Sequence, residues 1–223
     1  MSLMLSKVVS LLTVGFLITV FLLVGNKRPA SYIKSFRLQS LLLAVLIGVI
    51  SINRMVAEKQ FEPMLIICVL TFVLKVVIIP NMLKNLREKV TYIVEKDFYF
   101  NIPLLEITCA FIYVMSWYAA TFISVLDNFD QRLYFSTAVA SLLMGLFFMI
   151  TRKKAIGQIV GLLTIENGII LGAILLTFGM PMIVELGIFF DLLTAVIIMG
   201  SFVFKISDTF EHIDMNKLTK LKG

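Results

Sequence analysis

Seven apolar runs, each long enough to cross a bilayer as a helix, take up nearly all of the 223 residues. At about 1.5 Å per residue, some twenty helical residues match a hydrocarbon core of about 30 Å. The runs fall near residues 4–25, 38–56, 63–83, 101–125, 132–151, 155–177 and 181–204. The fold class they predict is an all-α integral membrane protein of about seven transmembrane helices. With 60% of residues apolar, 15% charged and a mean hydropathy of +1.00, the composition belongs to the same class. The longest polar stretches, 84–100 and 205–223, are far too short to form a soluble core. Residues 1–223 therefore read as one transmembrane unit, with 1–130 as a four-helix part, 131–204 as a three-helix part and 205–223 as a tail.

Net charge is +6, but the lysines and arginines sit at helix ends, which is the pattern of topology and of headgroup contact, not of a nucleic-acid surface. Fifteen of the twenty lie on one side: Lys27, Arg28, Lys34 and Arg37 after the first run, Lys84, Arg87, Lys89 and Lys96 after the third, Arg152, Lys153 and Lys154 after the fifth, and Lys205, Lys217, Lys220 and Lys222 in the tail. Lys7, Arg54, Lys59 and Arg132 lie opposite, so the N-terminus is expected outside and the C-terminus in the cytoplasm, the protein being multi-pass in the cell inner membrane. The first run lacks a small-residue cleavage pattern and reads as a retained helix. Cys68 and Cys109 are both intramembrane, without CxxC spacing or a nearby histidine, so neither a disulfide nor a metal site is expected. No phosphate loop, nucleophile with its base, haem ligand or cluster ligand set is present, so no catalytic residue and no cofactor is expected in this chain.

Three ionisable residues lie near mid-depth: Lys75, Glu166 and Asp191. Each costs roughly 2.5–3.5 kcal/mol at the centre of a membrane helix, so such residues face protein, water or each other and mark a candidate ion pathway. Glu166 is about 16 Å into the sixth helix and Asp191 about 15 Å into the seventh. The short turn at Gly179, Met180 and Pro181 makes those two helices antiparallel neighbours, so the carboxyls can approach, and desolvation and repulsion would favour the neutral form. A proton relay is favoured over simple interhelical hydrogen bonding. Glu185, about one turn into the seventh helix, is an exit-side candidate. Lys75 and Glu106 stand at similar depth and are a candidate ion pair, either fixed or exchangeable. Asn167, Ser116, Tyr113, Tyr118 and Thr121 could hydrogen-bond waters along a wire, though ordinary packing or belt roles suit most of them better.

The run GLLTIENG over 161–168, GMPMIVELGIFFD over 179–191 and the ending FEHIDMNKLTKLKG over 210–223 resemble hydrogenase-4 component E, a membrane subunit of group 4 nickel-iron hydrogenase and formate hydrogenlyase complexes. Chain length and helix count fit throughout, and the motifs cover about the last seventy residues. That part is also similar to the three-helix K subunit of respiratory complex I, which carries one glutamate in its second helix and another in its third. The resemblance puts Glu166 in the first position, one turn beyond the Leu163 that stands directly after the Gly-Leu pair, and Asp191 in the second, one methylene shorter. It implies a subunit without a redox centre, joined to antiporter-like and anchor subunits in the bilayer and to peripheral hydrogenase subunits, and contributing to proton translocation. The alternatives are a stand-alone transporter or channel, for which neither an inverted repeat nor a broken helix is visible, and a structural spacer in which Glu166 and Asp191 are dispensable.

Overall fold

A computed structural model describes residues 3–58, 64–89, 101–124, 126, 128–152 and 155–177. Among them, six helices are long and apolar enough to cross a membrane. We label them α1 (Leu3–Gly25), α2 (Pro29–Glu58), α3, α4 (Ile102–Thr121), α5 (Phe129–Thr151) and α6 (Ala155–Thr177). Helix α3 is composite: α-helical over Met64–Thr71, π-helical over Phe72–Ile78 and α-helical again over Ile79–Lys89. The seventh apolar run and the tail lie outside the described residues.

The first six runs become helices with ends close to the apolar boundaries, and the two exceptions have local causes. Helix α2 begins at Pro29, nine residues before the apolar run, because proline suits the first helical turn and the added turns are amphipathic. Tyr32, Ile33 and Phe36 are buried there while Lys34 and Arg37 are exposed. Helix α3 continues beyond Pro80, which the sequence places near a helix end. Pro80 has no N–H for the carbonyl of Val76 and its ring crowds that carbonyl. The chain answers with wider turns just before the proline: the Ile79 N–H bonds to Leu74 O, five residues back. The helix therefore survives its proline, and Lys75 lies inside the π segment.

Helix α2 packs against α1, α3 and α6, and α5 against α6, α4 and α1. Helix α6 is the most enclosed of the spans and α4 the least. Two polar braces hold α1 to α5. At one end Ser10 donates to Asp130 Oδ1 at 2.9 Å and lies 3.0 Å from the Tyr134 hydroxyl. At the other, the buried Arg152 donates to Val24 O and Asn26 O, both at 2.9 Å, and caps carbonyls that the end of α1 leaves over. Its guanidinium also lies 4.4 Å from the Phe148 ring centre and 5.7 Å from that of Tyr32, a cation–π contact joining α2 to the brace.

The tightest seam is α5 against α6, where small residues let the backbones touch. A Cβ on Gly145 would stand 2.8 Å from Ile165 Cγ1, 3.0 Å from Ile165 N and 3.1 Å from Gly161 O, and one on Gly168 would stand 3.0 Å from Leu142 N. Gly145→Leu should therefore force α5 and α6 apart and cost about 1–3 kcal/mol, read as a lower unfolding midpoint in detergent. Gly15→Ala, whose new Cβ meets nothing nearer than Leu42 Cδ1 at 3.6 Å, should cost nothing measurable. Equal melting of the two variants would refute the close-packed seam.

Candidate functional site

Three helices bring a polar residue to the same depth. Ser40 is eleven residues past Pro29, Lys75 eleven past Met64 and Glu166 eleven past Ala155, each about 16 Å along its helix. Because α2 and α6 run one way and α3 the other, these positions come to one level, where their side chains meet. Helix α2 packs on both α3 and α6, and the Lys75 side chain reaches from α3 to α6.

Lys75 is fully buried. Its Nζ donates to Asn167 Oδ1 at 3.1 Å and stands 3.4 Å from Glu166 Oε2. Asn167 is itself fully buried and its Nδ2 donates to Ser40 Oγ at 3.1 Å. The chemistry fixes the orientation of this amide, since a lysine can only donate and must therefore meet the carbonyl oxygen. The result is a connected polar chain across α2, α6 and α3 that runs from Ser40 through Asn167 to Lys75 and Glu166. The ammonium thus lies within reach of both a neutral amide oxygen and a carboxylate oxygen.

Further polar groups lie close by. Gln39 precedes Ser40 and is fully buried, and neither side-chain polar atom has a hydrogen-bond partner among the described residues. The same holds for Thr71 Oγ1, one turn before Lys75. Cys68 donates to Ala44 O at 3.3 Å and fixes the antiparallel register of α2 and α3, in which Gln39 falls within a turn of the level of Lys75. Buried polar groups nearly always find partners, so these residues mark a polar seam between α2 and α3 at mid-depth.

Glu166, Asn167 and Lys75 are thus brought together, while Glu106 is not. Lys75 stands 3.4 Å from Glu166, because α3 packs on α2, which in turn packs on α6, whereas α4 with Glu106 packs on α5 and α1. Glu106 lies one turn into α4 with Oε1 against the Cα of Gly25, at the close of α1. Asp191 and Glu185 lie outside the described residues. In α4, the Ser116 hydroxyl bonds back to Ile112 O at 2.8 Å and that of Thr121 to Tyr118 O at 2.7 Å, while the exposed Tyr118 ring packs on Phe122. These groups are occupied within their own helix and do not extend the polar chain. Trp117 meets Phe129 at 5.5 Å between ring centres and joins α4 to α5.

Hydropathy alone does not single out Ser40, Gln39 and Thr71. A signal exists for the first two: Gln39 and Ser40 are adjacent polar residues near the start of the second apolar run. Among the described residues no cluster of three or more His, Cys, Asp or Glu has the arrangement of a metal site.

No family model matches the chain. No solved structure matches it either. It is 44% identical to the uncharacterized protein Rv0085 of Mycobacterium tuberculosis over 85 residues, which are 38% of this chain and 39% of that protein. It is 27% identical to hydrogenase-4 component E of Escherichia coli K12 over 198 residues, 86% of this chain and 89% of the relative. The Shigella flexneri protein of that name gives the same values. The likeness of the C-terminal part to the complex I K subunit rests on the sequence motifs alone. The alignment runs through nearly the whole of both chains and makes this all-helical membrane protein a homologue of hydrogenase-4 component E.

Proposed function

We propose that this chain is a membrane subunit of a hydrogenase complex, in which Lys75, Glu166, Asn167 and Ser40 form the mid-membrane section of a proton path driven by redox chemistry in partner subunits. The observation that carries this reading is the shared ammonium: Lys75 Nζ lies 3.1 Å from Asn167 Oδ1 and 3.4 Å from Glu166 Oε2, fully enclosed. An ammonium that moves toward or away from a carboxylate changes how tightly that carboxylate holds a proton. Asn167 offers the lysine a second acceptor, and Ser40 can pass or orient a proton beyond it. Asp191 and Glu185, by their resemblance and depth, are the candidates for continuing the path in the seventh helix. Glu106, near the end of α4, is a candidate for its cytoplasmic side. The partners of this reading are antiporter-like and anchor subunits in the inner membrane and peripheral hydrogenase subunits.

Its test has a coarse and a fine part. Purification in mild detergent through a tag on this chain should bring hydrogenase activity with it, and recovery of a monodisperse chain alone would overturn the subunit reading. In vesicles carrying the complex, Asn167→Ala should slow redox-driven acidification about twofold to tenfold while assembly persists, since it removes one buried hydrogen-bond junction. Ser40→Ala should act in the same direction, with Ser40→Thr recovering the rate. Unchanged acidification in Asn167→Ala and Ser40→Ala would restrict the chain to a structural role.

A further inference from the structure

A cavity of about 460 Å³ lies between α2 and α3, lined by Ala30, Ile33, Lys34, Arg37, Pro80, Asn81 and Lys84. Its size is that of a small-molecule site. Three of its lining side chains are cationic, one is an amide donor, and no carboxylate is among them. Such a wall suits an anion with several acceptor oxygens. The cavity lies on the side that the basic residues assign to the cytoplasm, between the first turns of α2 and the last of α3. That is headgroup depth.

What distinguishes a lipid from a soluble anion is the surface leading away from the cavity. On α2 the helical spacing that carries Lys34 continues through Leu38, Leu41 and Val45, of which Leu38 and Val45 are exposed. On α3 the spacing that carries Asn81 leads back to the exposed Val77 and Val73. The cations therefore stand at the foot of two apolar stripes that run toward mid-membrane, in the order of a phosphate headgroup followed by acyl chains. Basic pockets between transmembrane helices are the usual anchorage of anionic headgroups.

We propose that this cavity holds the headgroup phosphate of an anionic phospholipid, with Lys34, Arg37 and Lys84 around the phosphate, Asn81 donating to it and the acyl chains along the α2 and α3 stripes. The register given above places Lys75 about two turns further along α3, so the bound lipid would brace the segment that carries the shared ammonium. The lipid site itself does not depend on the proton reading.

The full chain, in whatever assembly it purifies, is placed in phosphatidylcholine bilayers with and without phosphatidylglycerol, and the lipid it retains on extraction is measured by native mass spectrometry. The wild type should retain phosphatidylglycerol selectively. The triple variant Lys34→Gln, Arg37→Gln, Lys84→Gln should retain at least about tenfold less, each charge being worth roughly fivefold. The charge-keeping variant Lys34→Arg, Arg37→Lys, Lys84→Arg should behave as wild type. The replaced side chains are exposed, so helical content by circular dichroism should be unchanged. A thermal shift of the wild type on adding phosphatidylglycerol, absent with phosphatidylcholine, gives a reading independent of the variants. Equal retention of the two lipids, retention unchanged in the triple variant, or no selective thermal shift would overturn the site. Full displacement of the lipid by inorganic phosphate would show that the cavity reads phosphate alone, and a cross-link from the cavity to an acidic segment of a partner subunit would show it to be a protein interface; either result overturns the lipid assignment.

Discussion

Membranes carrying Glu166→Gln should assemble the complex at wild-type levels and lose redox-driven proton movement by about tenfold or more, because glutamine keeps the size and an acceptor oxygen while removing the titratable proton. Glu166 is buried in the most enclosed of the described spans, and its Oε2 is 3.4 Å from Lys75 Nζ. A group so placed cannot be replaced by bulk water at the same depth, and that is why the expected loss is large. Glu106→Gln, at the end of α4 and apart from this cluster, should reduce the rate much less. The measurement is dye-reported acidification of inside-out vesicles, normalised to the hydrogenase turnover of the same preparation. A Glu166→Gln complex that turns over and acidifies at the wild-type ratio would eliminate the relay role of this residue.

The parts of this protein that were legible in the sequence are those ruled by the bilayer. A hydrocarbon core of fixed thickness leaves little freedom in where a helix starts and stops, so α1, α5 and α6 match their apolar runs nearly residue for residue. Mid-depth charge is equally easy to see, and Lys75 and Glu166 announce themselves by their cost. Pairing is not so visible. Depth counted from the ends of the apolar runs sets Lys75 close to the level of Glu106. Helix neighbours and not depth alone decide partners: α3 packs on α2, which packs on α6, while α4 packs on α5 and α1. The π segment is a local consequence of Pro80 that hydropathy does not register, and small polar residues such as Ser40 carry too little cost to stand out in an apolar run. Arg152 shows the same limit from the opposite direction. It reads as one more loop cation, yet the left-over carbonyls of α1 and the Phe148 ring draw it into the interior.

Removing the cation alone should be the most destabilising single change in the site. Lys75→Met keeps the length and apolar stem of the side chain but leaves Glu166 at mid-membrane without its ammonium and Asn167 Oδ1 without its donor, at an expected cost of about 3–5 kcal/mol. Much of that cost is the stranded carboxylate and not the net worth of the pair, since a buried ion pair replaced by apolar groups of similar volume is often close to neutral. The double variant Lys75→Met, Glu166→Met should therefore recover most of the stability while remaining inactive in proton movement, which separates the fold from the path. In a double-mutant cycle the Lys75 and Glu166 changes should couple by about 1–3 kcal/mol, whereas Lys75→Met combined with Glu106→Gln should be additive within about 0.5 kcal/mol. The readout is denaturant unfolding in detergent for all members of both cycles. Additivity between Lys75 and Glu166, or coupling between Lys75 and Glu106, would return the lysine to the partner that depth alone suggests and remove the geometry on which the mid-membrane path is built.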